Sequence, residues 1–383
     1  MPLEKLFDWG GEQLAMYCGE DLGDLIIITL NNAVEATLAI ILLIKCELKL
    51  LQATIAGVVL LHLLLIPGTA FMVGGARVWE QTLHPTKAEL NHTLLTIGIL
   101  VLLVPAGFFA AIDRGMPVPN TDGTDPVLND IVRDDFLKMG RGFAVILLFV
   151  YVCSRFYLHD PPGEGPFQPH LNGPEGLIKK ERELLEAEPD INPWACIVLL
   201  LVCVGLMGVT AEFLVDSVEF VREEGHISEE QVSPPTLVWR DANAGLDGAV
   251  TLTYFAHSTL KQYFNLADAE QPTTIAEARA MELSIQFLLF WMPFLVLLGW
   301  WAGKPLSVLF DLFEVTVLVG SCFLVNYVTA DNKTNWAEGT MMISLYLMIA
   351  LSAWFYPGQP EVRILDACTS IADALVSSVG QAE

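Results

Sequence analysis

Long apolar stretches constrain the fold of this chain more than any other feature of its sequence. Crossing a bilayer takes about 20 mostly apolar residues, and nine stretches qualify, near residues 22–45, 50–76, 93–113, 140–158, 193–221, 234–260, 280–303, 307–329 and 339–356. Hydrophobic residues make up 53% of the chain and charged residues 17%, with a mean hydropathy of +0.50, which exceeds what a soluble core can bury. We therefore predict an all-α polytopic membrane protein with about nine transmembrane helices.

A long polar interval divides these stretches into two groups. Residues 159–192 begin rich in proline and glycine and end rich in acids, which is typical of a linker that ends in a surface helix. We predict a first half at 1–158, the linker at 159–192, a second half at 193–357 and a C-terminal tail at 358–383.

The two halves open in the same way. Each begins with a polar-interrupted span, followed by a long apolar span that starts near a glutamine, Gln52 in the first half and Gln286 in the second. Five crossings separate the starts of the two opening spans, so they enter the bilayer from opposite faces. This pattern predicts inverted repeats, whose broken helices meet at a substrate site near the midplane.

The net charge of −25 argues against nucleic acid and anionic lipid surfaces as partners. The acids fit a protein that handles cations, or they only solvate the loops, and both interpretations stay open. Lys and Arg divide evenly between the two sets of loops, so the positive-inside rule gives no orientation. Two sequons, which begin at Asn91 and Asn332, fall on one common side and would suit a lumenal face.

The cysteine spacing argues against a cysteine metal site, and the absence of enzyme motifs argues against a nucleotide-driven pump. Seven cysteines are scattered through mostly apolar stretches without metal-ligand spacing, and we predict that they are small buried hydrophobic residues: Cys18, Cys46, Cys153, Cys196, Cys203, Cys322 and Cys368. The sequence contains no glycine-rich phosphate loop and no nucleophile elbow, which argues against a nucleotide-driven pump. We predict no cofactor.

A carboxylate and a histidine lie inside the apolar spans of the first half. A charge at the depth of Glu35 costs about 2.5 kcal/mol or more, which is tolerated when it faces a cavity, a cation or a partner. We therefore favour a functional role for Glu35 over a structural one. His62 would titrate near neutral pH, or it is a hydrogen-bonded core residue, which is the commoner case.

The segment around Glu35 resembles a known family signature. Asn32-Ala33-x-Glu35 is similar to the G-N-A-T-E signature of proton/calcium exchangers, and residues 46–53 resemble its K-G-E-L-x-x-x-Q-A continuation. Residues 210–217 and several positions between 299 and 339 resemble later helices of the same family. The chain is identified as a member of the cation/proton exchanger family, which implies a sodium/calcium exchanger-like fold.

The resemblance implies a transporter that exchanges calcium, or another divalent cation, for protons across a vacuolar or other internal membrane. In this family two buried glutamates, one from each signature, hold the cation with the help of carbonyl and amide oxygens. Matching positions make Glu35 the first carboxylate and Asn32 its neighbour, with Glu12 and Glu212 as acids on the preceding helices. Oxygen ligands suit Ca²⁺, and protonation of the carboxylates would release it.

The second signature departs from the family pattern. The family's G-N-A-A-E-H should fall at residues 240–248, which read R-D-A-N-A-G-L-D-G and contain no glutamate. Asp247 would substitute only if the helix shifts by one residue, which rotates it by about 100°. Arg240 and Asp241 would more simply neutralise each other.

The first half also departs from the family pattern. Asp24 and Asn31 replace family glycines, and His62 replaces a family asparagine. The first half is N-terminally shortened relative to the family, because only eleven residues precede Glu12.

Three functions stay open on this evidence. We favour transport, with Glu35, Asn32, Glu212, Asp247 and Glu12 as candidate cation ligands. The second is an intramembrane cyclase or isomerase, with Asp24, Glu35, Glu212, Asp241 or Asp247 as the general acid on a lipophilic substrate. The third is a relative that does not transport.

Overall fold

The computed structural model describes residues 2–18, 20–75, 80–83, 85–115, 129–159, 189–225 and 275–371, and these are almost entirely helical. In chain order the helices are α1 (Pro2–Cys18), α2 (Glu20–Asn31), α3 (Ala33–Lys45), α4 (Leu48–Leu60), α5 (Ile66–Gly75), α6 (Pro85–Gly115), α7 (Asp130–His159), α8 (Pro193–Gly225), α9 (Ile275–Gln286), α10 (Met292–Trp301), α11 (Leu312–Val328), α12 (Trp336–Trp354) and α13 (Pro360–Leu365). Two π-helical turns, π1 (Leu61–Leu65) and π2 (Phe287–Trp291), join α4 to α5 and α9 to α10. Strands β1 (Gln81–Thr82) and β2 (Lys333–Thr334) pair antiparallel, with Gln81 opposite Thr334.

The described helices agree with the predicted membrane architecture. Six of them, counted with their π turns, are long and apolar enough to cross a bilayer, and the bent pair of α2 and α3 makes a seventh. Helix α11 is apolar but has only 17 residues. The span predicted at 234–260 lies outside the described residues, so the total of nine stays a prediction.

The opening span is broken at Asn32, where α2 and α3 meet at an angle of 50°. Asparagine side chains compete for backbone hydrogen bonds and lower helix propensity, and two of them, Asn31 and Asn32, follow each other here. Helix α3 ends after Lys45, because Cys46 adopts a left-handed conformation with φ of 68°. The predicted polar-interrupted span is therefore a helix with one defined bend.

The two apolar spans that contain Gln52 and Gln286 each have a π turn followed by a proline. Pro67 is the second residue after π1, and Pro293 is the second residue after π2. Proline lacks an N–H group, and its ring would clash with the carbonyl four residues earlier in a regular α-helix. The wider π turn removes that clash. The two spans thus carry the same irregularity at the same offset from their prolines.

The same two spans form the inside of the bundle. In the most apolar 18 residues of Leu48–Met72 and of Met281–Trp301, 72% and 61% are buried, whereas the corresponding share in the other four long spans is 28–39%. Helix α5 packs directly on α12, where glycines bring the two backbones together. A Cβ atom built on Gly339 would lie 2.5 Å from the carbonyl oxygen of Gly68.

Contacts define two ends of the bundle. The strand end contains β1, β2 and residues 329–336, and the side chain of His92 reaches Thr329 there. Both sequons lie at this end, but Asn91 is a buried residue of α6, so only Asn332 is placed to meet a glycosylating enzyme. The tail end contains residues 45–48, 302–311 and 355–371.

The tail end holds the last described segment against the bundle. Residues of α13 and the segment after it pack on Phe109, Phe136 and Leu309. The guanidinium of Arg133 in α7 donates to the carbonyl oxygens of Ala367, at 3.2 Å, and Thr369, at 2.9 Å. The first part of the predicted C-terminal tail is therefore a packed element of the fold.

The prediction for the cysteines is correct only in part. Cys46 and Cys368 form a disulfide bond at the tail end, with their Cα atoms 6.4 Å apart. Three of the remaining cysteines are buried, as predicted: Cys196, Cys203 and Cys322. The other two, Cys18 and Cys153, are exposed. The prediction failed for the bonded pair because 322 residues separate its members, so no local spacing reveals the bond.

Candidate functional site

The bend between α2 and α3 places a carboxylate and an amide together inside the bundle. Asn32 is completely buried at the bend, and Glu35, in the first turn of α3, is only 8% exposed. Residues three apart lie on the same face of a helix, so the two side chains share one side of α3. The first turn of a helix also favours negative charge, because its N–H groups point toward it.

Gln286, the last residue of α9, joins this pair to the second half of the chain. The Asn32 Nδ2 group donates to Gln286 Oε1 at 2.8 Å and to the carbonyl oxygen of Leu283 at 3.3 Å. Gln286 is itself 1% exposed and directly precedes π2. One buried amide pair therefore connects the bend of the first half to the irregular span of the second half.

The other end of the Gln286 amide contacts two more helices. Its Nε2 group donates to Thr29 Oγ1 of α2 at 2.8 Å and to the Tyr151 hydroxyl of α7 at 3.0 Å. Tyr151 is 5% exposed. Four helices, α2, α3, α7 and α9, thus meet at one polar cluster within an otherwise apolar bundle.

The cluster leaves an oxygen ligand unused. Within the part of the chain that is described, Asn32 Oδ1 is buried and has no hydrogen-bond partner. It lies one helical turn before Glu35, so an amide oxygen and a carboxylate occupy the same side of α3. Hard oxygen ligands of this kind suit Ca²⁺. No group of three His, Cys, Asp or Glu residues that could hold a metal ion occurs among the described residues.

The other predicted site residues take different places. Glu12 of α1 and Glu212 of α8 have exposed side chains, in contrast to Glu35. Asp24 lies in α2, and only its backbone is described. Asp241 and Asp247 lie outside the described residues.

His62 lies in π1 and is 5% exposed. Its Nδ1 group donates to the carbonyl oxygen of Val58 at 3.0 Å, since a carbonyl can only accept. This contact favours the interpretation of His62 as a hydrogen-bonded core residue.

A second buried polar cluster lies at the tail end. Lys49 Nζ is 3.3 Å from Glu314 Oε2 and 3.9 Å from Asp311 Oδ2. Asp311 also caps α11 by accepting from the backbone N–H of Phe313, and it accepts from the Tyr356 hydroxyl at 2.6 Å. Lys49 offsets one of the two negative charges, and both carboxylates also accept hydrogen bonds. This cluster holds the loops of the tail end together.

A third carboxyl group completes the tail-end cluster. Asp366 Oδ1 accepts from the Ser307 hydroxyl at 2.9 Å. Burial raises the pKa of Asp366 from 3.8 to about 7, although the Ser307 hydroxyl and the charge of Lys49 oppose this. Gln52 lies beside it and donates to the carbonyl oxygens of Ser307 and Leu309.

Comparison with known proteins decides the family. No protein-family model matches the chain. A vacuolar calcium ion transporter of Cryptococcus neoformans is 30% identical to it over 95% of this chain and 68% of the relative. The chain belongs to the cation/proton exchanger family. A Ca²⁺/H⁺ antiporter of Synechocystis sp. is 27% identical over 93% of this exchanger and 89% of the relative.

Solved structures confirm the exchanger-like fold. Native YfkE aligns with a TM-score of 0.62 and 20% identity, covering 92% of this chain and 89% of YfkE. The H⁺/Ca²⁺ exchanger CAX aligns with a TM-score of 0.53 and 11% identity, covering 99% and 87% of the two chains. At these identities the similarity shows the fold alone.

Sequence reasoning missed part of the polar cluster in this cation/proton exchanger. It marked Gln286 only as the polar start of an apolar span, and it assigned no role to Thr29 or Tyr151. The available signal was weak, because single hydroxyl or amide side chains are common in apolar helices. Many of these side chains form hydrogen bonds to the backbone of their own helix. Only the crossing of α7, α2 and α9 reveals which of these groups meet.

Proposed function

We propose that this exchanger moves Ca²⁺, or another divalent cation, in exchange for protons across a vacuolar or other internal membrane. The observation that carries the proposal is the buried pair of Asn32 and Glu35, held by Gln286 of the other half. The named activities of its relatives, vacuolar calcium ion transport and Ca²⁺/H⁺ antiport, agree with it.

The proposed chemistry is competition between a cation and a proton for the same oxygens. The Glu35 carboxylate and Asn32 Oδ1 bind the cation, and protonation of Glu35 removes the negative charge that holds it. Since a charge buried in the bilayer is costly, binding of a cation or a proton stabilises Glu35 there. This alternation couples the two flows.

The remaining acids have supporting roles in the proposal. Glu12 and Glu212 lie on α1 and α8, which pack together, and α8 also packs on α3. We place them along the path that leads to Glu35. Asp247 stands for the missing glutamate of the second signature. An acid-catalysed reaction on a lipophilic substrate gains no support from the named relatives.

The test is calcium uptake by proteoliposomes under an imposed pH gradient. We expect Glu35→Gln to lower the uptake rate at least tenfold, because the amide can neither exchange a proton nor supply the negative charge. Asn32→Ala should raise the KM for Ca²⁺. The matched control is Glu80→Gln, which removes an exposed carboxylate that pairs with Lys333 at the strand end.

Two results would contradict the proposal. The first is a parent protein that takes up no divalent cation under either sign of the pH gradient. The second is a Glu35→Gln variant with the rate and proton coupling of the parent.

A further inference from the structure

We propose that Tyr151 is a positioning residue of the exchange site, whose hydroxyl fixes the Gln286 amide so that Asn32 turns its oxygen toward the ion. This inference rests on the proposed function. It assigns a role to α7, a helix that contains none of the predicted cation ligands.

The hydrogen bonds of the cluster have only one possible direction. The Thr29 hydroxyl donates its single proton to the carbonyl oxygen of Leu25 at 2.7 Å. Thr29 Oγ1 can therefore only accept from Gln286, which must present its NH₂ group there. The Gln286 oxygen then faces Asn32 and accepts from Asn32 Nδ2. The direction of each bond follows from the previous one.

The end of this chain of hydrogen bonds is the ligand oxygen. Because Asn32 uses its NH₂ group on Gln286 and Leu283, its Oδ1 atom must point the other way. That atom is buried without a hydrogen-bond partner in the described part of the protein. A rotation of the Gln286 amide by 180° would place NH₂ against NH₂ and force Asn32 to turn as well.

Tyr151 is the second of the two acceptors that hold Gln286. A glutamine NH₂ group carries two protons, and Thr29 accepts one of them. The Tyr151 hydroxyl accepts the other at 3.0 Å, in a bond between buried groups. Without the Tyr151 hydroxyl, the Gln286 amide keeps its bonds to Thr29 and Asn32 but has one NH₂ proton without an acceptor, so its orientation is held less firmly.

The position of Tyr151 is itself fixed on two sides. Its ring lies against Phe290 of π2, with the centroids 5.5 Å apart. The guanidinium carbon of Arg155, one turn further along α7, lies 5.0 Å from the centroid of the ring, which is a cation–π distance. The hydroxyl therefore projects from a ring that α7 and π2 hold together.

Positioning matters in this site because the Asn32 oxygen is a neutral ligand. Neutral oxygen ligands contribute only when their dipoles point at the ion, so their orientation affects affinity directly. Loss of the Tyr151 hydroxyl should weaken cation binding while the titrating group, Glu35, stays in place. The expected change is therefore in KM more than in the maximal rate.

The test compares Tyr151→Phe with Tyr157→Phe in the proteoliposome assay. Tyr157 is an exposed residue of the same helix, so the control makes the same chemical change away from the cluster. We expect Tyr151→Phe to raise the KM for Ca²⁺ about three- to tenfold, the usual worth of one buried hydrogen bond. Tyr157→Phe should keep the KM of the parent.

A double-mutant cycle separates positioning from a general loss of structure. If Tyr151 acts through Gln286, Tyr151→Phe should have no further effect on KM in a Gln286→Ala background. Thr29→Val, which removes the other acceptor, should also raise the KM for Ca²⁺. It replaces Tyr151→Phe in the test if that variant does not fold. Thermal unfolding in detergent checks that each variant is folded.

The possible outcomes separate the two proposals. If the parent exchanges calcium but Tyr151→Phe and Tyr157→Phe have the same KM for Ca²⁺, the positioning role alone is overturned. If Tyr151→Phe raises the KM by the same factor in the parent and in the Gln286→Ala variant, the positioning role is also overturned. A parent without any calcium uptake overturns the positioning role together with the proposed function.

Discussion

Asp366 shows how one buried side chain responds to its surroundings. Its carboxyl group lies outside the membrane-spanning helices, and burial raises its pKa to about 7. In the described part of the chain, Asp366 Oδ2 and the neighbouring Gln52 Oε1 are both buried acceptors without a hydrogen-bond partner. Burial disfavours the charged form of Asp366 more than the Ser307 hydroxyl, the Gln52 amide and the charge of Lys49 favour it. The neutral form therefore fits this position better than the carboxylate.

We predict that Asp366→Asn removes a pH dependence of stability. Because folding raises the pKa from 3.8 to about 7, the folded protein holds a proton in that interval that the unfolded chain releases. Stability therefore falls as the pH rises from 3.8 to about 7, and the full loss remains above that range. The Tm of the variant should exceed that of the parent at pH 8, and the difference should shrink toward pH 5.

Thermal unfolding in detergent across this pH range is the measurement. Asp135→Asn, which changes an exposed acid of α7, is the control and should follow the parent. Parallel curves for Asp366→Asn and the parent would mean that Asp366 does not titrate with folding.

At the scale of single residues, the sequence revealed the charged member of the site better than the neutral ones. Glu35 stands out because a carboxylate in an apolar run is costly, and the signature adds Asn32. The contact between Asn32 and Gln286 joins residues 254 positions apart. No local pattern contains that information, because it depends on how two bent spans cross.

At the scale of helices, the contact between α5 and α12 brings two backbones together. Gly339 lies where its missing side chain would meet the backbone of α5, 2.5 Å from Gly68 O and 2.5 Å from Met72 N. Both of these atoms belong to rigid backbone, so neither can move aside. Small residues at such positions allow close packing of helices in membranes.

We predict that Gly339→Ala destabilises the protein, since overpacking at a rigid contact costs about 1–3 kcal/mol. Gly320→Ala is the matched control, because a Cβ atom there meets nothing within 4 Å. That change should leave stability the same or raise it by up to about 1 kcal/mol, as alanine favours the helix. The Tm of each purified variant is the measurement, and equal values for the two would disprove the close contact.

Hydropathy predicted where the helices lie, but not their irregularities or all of their ends. The stretches predicted at 307–329 and 339–356 are helices that begin at Leu312 and Trp336. Both begin after a capping box, formed by Asp311 with Glu314 and by Asn335 with Glu338. These signals were present in the sequence. For the π turns, the only indication in the sequence was a nearby proline, which is also found at simple helix kinks.

At the scale of the whole molecule, the disulfide joins two distant parts of the chain. Cys46 lies in the predicted first half and Cys368 in the predicted C-terminal tail, so the bond closes a ring that contains residues 47–367. We predict that a chain cut at a protease site introduced between residues 160 and 188 runs as one species on a denaturing gel without reductant. With reductant it should run as two fragments.

Cys368→Ser provides the control for this experiment. The cut variant should give two fragments with or without reductant. If the cut parent separates into fragments without reductant, Cys46 and Cys368 are not bonded in the purified protein.

The different burial of the spans has a consequence for the lipid dependence of this exchanger. The two spans with π turns are surrounded mainly by other helices, whereas α6, α7, α8 and α12 present most of their surface outward. A thinner or thicker bilayer produces a hydrophobic mismatch that acts on the outer helices, which adjust by tilting. Helix α7 is one of these outer helices, and its Tyr151 contacts Gln286 beside Asn32. Tilting of α7 would therefore reach the cluster, so the affinity for the ion should change with the acyl-chain length of the host membrane.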